Sequence, residues 1–143
     1  MPAASDTIDA IYKDPNQAKH TPIFPGYHGK QIRIMAYISD GSETVYTVPA
    51  DNTLLLLNWN LQAFNSAATF EKAYCTMRDS TNTTRYRFFY SDDIGQGTLA
   101  LTQSYTIPFE METGDKILIL SGHATLSIWV GFFGILVPTD EWR

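Results

Sequence analysis

The chain has 143 residues and a mass of 16.1 kDa, with 44% apolar and 17% charged residues. This composition is typical of one folded domain and excludes a chain that is disordered throughout. Fifteen acidic and ten basic residues give a net charge of −5. Apart from Arg85 and Arg87 the basic residues are scattered singly, which disfavours nucleic acid as a partner.

Residues 1–30 are polar and predict an extended N-terminal arm, because frequent proline and glycine leave no helical or strand period. The arm has no basic stretch followed by an apolar core, so we expect no secretory signal and synthesis in a cytosol. Its apolar side chains are the ones that can hold a partner, or alternatively pack on the chain's own domain. The predicted partner contacts are Ile8, Ile11, Tyr12, Ile23, Phe24 and Tyr27.

Residues 31–143 consist of short β-branched, aromatic and leucine-rich runs separated by turn formers. The predicted strands are, in chain order, QIRIMAYI, ETVYTV, TLLLLNWNLQAF, FEKAYCTMR, TRYRFFYS, TLALTQSYTIPFEM, DKILILSG, ATLSIWVG and FFGILV. No helix of ten or more residues is expected between them. About eight or nine strands at this spacing predict an all-β sandwich or barrel.

Strict alternation in the third run puts four apolar side chains on one face, which we expect to be the core face. These are Leu55, Leu57, Trp59 and Leu61, with Asn58, Asn60 and Gln62 opposite. In RYRFFY the same rule places Tyr86, Phe88 and Tyr90 on one face and Arg85, Arg87 and Phe89 on the other. The first face is expected to be core and the arginines solvated or in salt bridges between subunits.

The stretch from Ala124 to Pro138 carries no charged side chain. A membrane-spanning helix needs about 20 apolar residues, and this stretch is shorter and contains Gly131 and Gly134. We therefore interpret it as two strands separated at Gly131, with TDEWR as a short polar tail. The second of these strands is apolar on both faces, as expected of a strand between a core and a neighbouring subunit.

Three stretches resemble known virion and cytokine-like proteins. TVYTVPADNTLLLLNWNL resembles the opening hairpin of bacteriophage virion jelly rolls, in which a Val-Pro-Ala turn precedes a leucine-rich strand. SYTIPFEMETGDKILILS and LSIWVGFFGILVP resemble late strands of the tumour-necrosis-factor and complement-C1q type of jelly roll. The likeness covers residues 43–137 and implies an antiparallel jelly-roll β-sandwich at residues 31–143.

The resemblance also implies a role. Proteins of this kind form homotrimers, and decoration (cement) proteins on tailed-phage heads bridge the major capsid protein and neighbouring decoration trimers. We therefore expect a non-enzymatic virion protein on the outer surface of a capsid, made in the host cytoplasm, without cofactor, nucleic acid or membrane. The expected trimer interface comprises Trp129, Phe132, Phe133 and Ile135.

The sequence gives little evidence for a catalytic site or a metal site. A cupin-type metal site needs a close histidine pair, whereas His20, His28 and His123 are well separated. Cys75 lies in an alternating apolar run and is expected to be a buried thiol. Asp92 and Asp93 in YSDDIGQG are expected to form a polar hairpin tip, with a Ca²⁺ site as the alternative.

The alternative function is recognition of a host surface by a phage tail-tip or fibre module. Such a receptor-binding or glycan-binding module would use exposed aromatic rings, and the chain has 13% aromatic residues. RYRFFY is the densest aromatic group, although its predicted core face favours a structural use.

Overall fold

The computed structural model describes residues 29–142, and residues 1–28 and Arg143 lie outside the described residues. Within residues 29–142, eight strands and one short helix follow in chain order. They are β1 (Lys30–Ile38), β2 (Gly41–Thr47), β3 (Asn52–Asn65), β4 (Glu71–Arg78), β5 (Thr84–Ile94), β6 (Gly97–Met111), β7 (Lys116–Ser121), β8 (Leu126–Pro138) and α1 (Thr139–Trp142). The all-β prediction is confirmed.

The strands form two four-stranded antiparallel sheets. The first sheet has the order β1-β8-β3-β6, and the second sheet has the order β2-β7-β4-β5. The chain crosses from one sheet to the other at every connection except β4 to β5. This interleaving of two Greek keys is the jelly-roll β-sandwich, as predicted.

The aromatic part of the core between the sheets surrounds the ring of Phe88. Its centroid lies 5.2 Å from Phe132, 5.5 Å from Phe109 and 6.1 Å from Trp59, all in edge-to-face arrangements. Such pairs add about 0.5–1.5 kcal/mol each to the burial of the rings. At the rim, the Trp59 Nε1–H donates to the Tyr105 hydroxyl at 3.1 Å, and burial raises the pKa of Tyr105 to about 12.

Strand β3 departs from strict alternation. Its ladders with β6 and β8 both shift register just after Leu56, and against β8 Leu57 is an extra residue, as in a β-bulge. Before the bulge Leu54 and Leu56 lie in the main core, whereas Leu55 and Leu57 belong to a separate cluster. The predicted core positions of these two leucines are therefore wrong. From Trp59 onward the predicted core face is confirmed.

The predicted break at Gly131 is also wrong, because β8 is one strand of 13 residues. Its ladders with β1 and β3 run through Gly131 without interruption there. Gly134 is instead a site of close approach, since a Cβ there would lie 2.7 Å from the Leu55 carbonyl oxygen. Gly134 is therefore required for the close pairing of β3 and β8, and Gly131 does not end a strand.

After β8 the predicted polar tail forms α1, a helix of four residues. The Thr139 amide donates to the Asp51 carbonyl oxygen at 3.0 Å. The Thr139 and Thr53 hydroxyls are also 3.0 Å apart. Of the residues that the structure describes, none belongs to a helix long and apolar enough to cross a membrane.

Candidate interaction surfaces

The outward face of the first sheet carries a second apolar cluster, which we call the outer apolar cluster. It consists of Leu55, Leu57, Ile135 and Val137, with the half-buried Phe133 packed against them. All four point away from the main core, because in β8 and in the part of β3 before the bulge they alternate with residues that face that core. They are nevertheless 0 to 7% exposed. A sheet with apolar side chains on both faces requires a layer on each side.

The described chain begins beside this cluster. Gly29 precedes β1, and a Cβ at Gly29 would collide with the side chains of Ile135 and Val137, at 2.6 Å from the latter. The backbone therefore lies directly on the cluster, which only glycine permits at this distance. Residues 1–28 join the domain at this point.

The other end of the same face carries an open groove, which we call the aromatic groove. Met35, Tyr37 and Trp129 are 83%, 51% and 43% exposed. The rings of Tyr37 and Trp129 lie 5.0 Å apart, and Asn60 and Gln62 line the same groove. Exposed rings beside side-chain amides offer both stacking surfaces and hydrogen bonds to a ligand.

The structure divides the four residues predicted for a trimer interface. Trp129, Phe133 and Ile135 lie on the outward face of β8 at odd-numbered positions. Phe132 has the other parity and is 2% exposed in the main core. Phe132 is therefore removed from the predicted interface, because its ring fills the space between the sheets.

The predicted arm contacts fall in residues 1–28, and with them His20 and His28, so all of these lie outside the described residues. The arm residues concerned are Ile8, Ile11, Tyr12, Ile23, Phe24 and Tyr27. Their contacts stay a prediction.

Strand β5 also departs from the predicted alternation. Its ladder with β4 has three register shifts, so the residues of RYRFFY do not divide into two simple sets. Phe88 is in the core as predicted. Tyr90, predicted for the same face, stacks instead on Tyr74 with centroids 5.9 Å apart and planes within 5°. The Arg87 guanidinium lies over the Tyr90 ring at 4.5 Å, so the predicted separation of these two residues is wrong.

The other chemical groups considered in the sequence occupy ordinary structural positions. Cys75 is 1% exposed, and burial raises the pKa of its thiol, which opposes formation of a nucleophilic thiolate. His123 is exposed in the turn before β8, where its Nδ1 lies 3.0 Å from the Thr125 hydroxyl. Both placements agree with the sequence prediction.

The predicted hairpin tip is wrong, because Asp92 and Asp93 lie inside β5, and β5 and β6 belong to different sheets. Both aspartates interact with hydroxyl groups of their own strand. Asp92 accepts a hydrogen bond from the Tyr90 hydroxyl and Asp93 accepts one from the Ser91 hydroxyl, each at 3.0 Å. Among the described residues, no group of three histidine, cysteine or acidic side chains could hold a metal ion.

No family model and no curated protein matches the chain. Solved structures with a similar arrangement of strands include the capsid asymmetric unit of the cyanophage Pam1, with 17% identity and a TM-score of 0.46 over 94% of this chain and 99% of that one. Another is a pentameric capsid protein from metagenomic phage sequences, with 14% identity and a TM-score of 0.39 over 74% of this chain and 61% of that one.

A third is the structure of T=1 particles derived from infectious bursal virus, with 11% identity and a TM-score of 0.40. The match covers 82% of this chain, which spans 31% of that one. At these identities the likeness concerns the fold alone. The assignment of the jelly roll rests on the strand order of the chain itself.

Proposed function

We propose that this chain is a non-enzymatic structural protein of a virion, specifically a decoration (cement) protein on a tailed-phage head. The observation that carries the proposal is the outer apolar cluster, a buried apolar layer on the outward face of a jelly-roll sheet. Jelly rolls of two sheets are common in viral capsid proteins, but the fold is only an analogy for function. The surface chemistry supplies the argument.

The outer apolar cluster supports a clamp mechanism. Exposure of these apolar side chains to water would be unfavourable. The N-terminal arm joins the domain at Gly29, directly beside the cluster. The arm offers apolar side chains such as Ile23 and Phe24 close to that junction. An arm that covers such a cluster on a neighbouring subunit adds contact area without adding a core.

The proposed assembly is a homotrimer that contacts the major capsid protein and neighbouring decoration trimers. Trp129, Phe133 and Ile135 lie on one outward strand surface, which suits a subunit contact. Each contact must then break before the shell expands or ruptures, so binding stabilises the shell by mass action.

The test is deletion of residues 1–28, followed by measurement of particle mass by light scattering and of retention on capsids after sedimentation. We expect the truncated protein to be released from capsids under conditions in which the full chain stays bound. A truncated protein that stays on the shell as tightly as the full chain rules out the clamp.

Two further variants keep the test interpretable. Deletion of residues 1–7 shortens the arm but retains all six of its predicted apolar contacts, so it should bind like the full chain. The triple variant Ile8→Ser, Ile11→Ser, Tyr12→Ser leaves the segment next to Gly29 unchanged and should fold normally. It should still lose capsid retention, and normal retention by this variant contradicts an anchoring role for those three side chains.

A second candidate function is a receptor-binding or glycan-binding module of a phage tail tip or fibre. The aromatic groove favours it, because sugar rings stack on exposed aromatic faces and their hydroxyls bond to amides such as Asn60 and Gln62. Trp129 belongs both to this groove and to the predicted trimer interface.

Trp129→Ala therefore separates the two functions. A decoration trimer should dissociate to monomers while glycan-array binding stays absent before and after the change. A receptor module should keep its mass and lose binding to host cells or glycans. Copy number per virion is an independent measure, since a decoration protein is expected in hundreds of copies and a tail-tip module in only a few.

A further inference from the structure

The outward face of the second sheet contains a small pocket between β4 and β5, which we call the cationic pocket. It is lined by Lys72, Tyr74, Thr76, Arg78, Thr84, Arg87 and Tyr90. Each charged residue in this lining is a cation, although the whole chain carries a net charge of −5. Its volume of about 190 Å³ is below the range of pockets for drug-sized ligands. The pocket is therefore large enough for one small chemical group of a ligand.

Within residues 29–142, two hydrogen-bond donors at the base of this pocket have no hydrogen-bond partner. Thr76 is 3% exposed, and neither its hydroxyl nor the buried Nε–H of Arg78 forms a hydrogen bond. Buried donors without an acceptor are unfavourable and uncommon in folded proteins. Both atoms are covered where they stand, so a ligand that supplies acceptor oxygens would satisfy them after a small rotation of the two side chains toward the pocket.

The rim of the pocket holds its cations in position. The Lys72 ammonium lies 5.5 Å from the Tyr90 ring and 5.8 Å from the Tyr74 ring, and the Arg87 guanidinium lies over Tyr90 at 4.5 Å. Within the described residues, Lys72, Arg78 and Arg87 form no salt bridge. The ring faces already contact cations, which leaves little aromatic surface for a neutral sugar.

The nearby acids are engaged elsewhere. Asp92 accepts the hydrogen bond from the Tyr90 hydroxyl, and Asp79, beyond the end of β4, forms a salt bridge with Arg85 at 2.7 Å. No carboxylate of the lining therefore neutralises the pocket.

We propose that the cationic pocket binds a single oxyanion, a carboxylate or phosphate group, through the Thr76 hydroxyl and the Arg78 guanidinium. Charged oxygens accept N–H and O–H hydrogen bonds more strongly than neutral ones, and Lys72 and Arg87 supply the compensating charge. This assignment does not depend on the virion role, because it rests on the second sheet only.

The experiment titrates the full-length ¹⁵N-labelled protein with sodium acetate and, separately, with sodium phosphate at constant ionic strength. We expect saturable shifts of the Arg78 Nε–H signal and of the backbone amides of Thr76 and Arg87. Tighter binding of acetate assigns a carboxylate-bearing ligand, and tighter binding of phosphate assigns a phosphate ester. Shifts that are linear in concentration, or equal in sodium chloride, overturn the proposal.

Variants test the two base donors. Arg78→Gln and Thr76→Val should each weaken binding, the arginine change by about tenfold or more because its hydrogen bond is charge-assisted. Arg78→Lys keeps the charge but loses the Nε–H, so it should not restore affinity. Full affinity in Arg78→Lys overturns the assignment of a directional site. Arg33→Gln, on the first sheet, is the matched control and should bind the anion normally.

Discussion

The two outward faces of the sandwich differ in the kind of contact that they offer. The first sheet presents the outer apolar cluster, whose side chains are almost completely buried. The second sheet presents the cationic pocket, with charged groups at its rim and unpartnered donors at its base. The two outward faces therefore differ in chemistry, one apolar and one cationic, on opposite sides of a common core.

The two faces are therefore suited to different kinds of binding. Burial of apolar area is non-directional and scales with the area removed from water, so the first sheet suits a broad and permanent cover. Hydrogen-bond donors require acceptors at defined positions, so the second sheet suits a small ligand. Equivalent substitutions on the two faces should therefore change the free energy of unfolding by different amounts.

The largest difference is expected between Leu55→Ala on the first sheet and Leu118→Ala on the second. Leu55 is 0% exposed, and its truncation should cost about 2–5 kcal/mol of unfolding free energy. Leu118 points outward from β7 and is only partly buried, so its truncation should cost about 1 kcal/mol or less. Urea unfolding followed by tryptophan fluorescence measures both. Equal losses of unfolding free energy in the two variants would show that the two outward faces are equally covered.

A double-mutant cycle identifies what covers Leu55. In protein that lacks residues 1–28, the cost of Leu55→Ala should fall to about 1 kcal/mol or less, because the covering layer is already absent. The measurement is repeated at several protein concentrations, since a cover supplied by another subunit makes stability concentration-dependent. An unchanged cost in the truncated protein means that residues 1–28 are not the cover.

Much of this fold could be predicted from period-two patterns and turn residues. The all-β class and the core positions of Trp59 and Leu61 follow from alternating side chains, which a sheet buried on one side requires. The bulge at Leu57 could not be predicted, because four consecutive leucines fit either parity. That single inserted residue moves Leu55 to the outward face and so creates the outer apolar cluster.

The cationic pocket left a signal in the sequence that our prediction missed. In EKAYCTMR the positions of one parity are Lys72, Tyr74, Thr76 and Arg78, all polar or amphipathic. They point outward together because Ala73, Cys75 and Met77 of the other parity are buried. The contribution of β5 could not be read in this way, since the register shifts against β4 place Arg87 and Tyr90 on one face.

A smaller difference is expected between two buried threonines on opposite faces. Thr53 is 1% exposed and its hydroxyl lies 3.0 Å from that of Thr139, so Thr53→Val should cost about 1 kcal/mol by leaving a hydroxyl unpaired. Thr76 has no such partner in the part of the chain that the structure describes, and Thr76→Val should be neutral or stabilising by up to about 1 kcal/mol. Thermal unfolding in acetate-free and phosphate-free buffer provides the comparison. A clear loss of stability in Thr76→Val indicates that its hydroxyl is already satisfied.

The smallest effect concerns the turn that joins β4 to β5 on the second sheet. Asp79 accepts hydrogen bonds from the Thr81 hydroxyl at 2.6 Å, the Thr83 amide at 3.0 Å and the Arg85 Nε–H at 2.7 Å. Chiefly through the Thr81 hydroxyl, these contacts hold the pKa of Asp79 well below its ordinary value. A lowered folded-state pKa contributes stability above the unfolded pKa of about 4, and that stability disappears as the pH falls further.

Asp79→Asn should therefore lower the melting temperature at pH 7, and the difference from the original protein should shrink as the pH falls below about 4. Melting curves from pH 7 to pH 2 measure this convergence. Asp40→Asn changes an exposed aspartate between β1 and β2 and should alter the melting temperature little at pH 7. A constant gap for Asp79→Asn at every pH would mean that the carboxylate shape, and not its charge, holds the turn. In that case the second sheet would owe less to charged contacts than its outward face suggests.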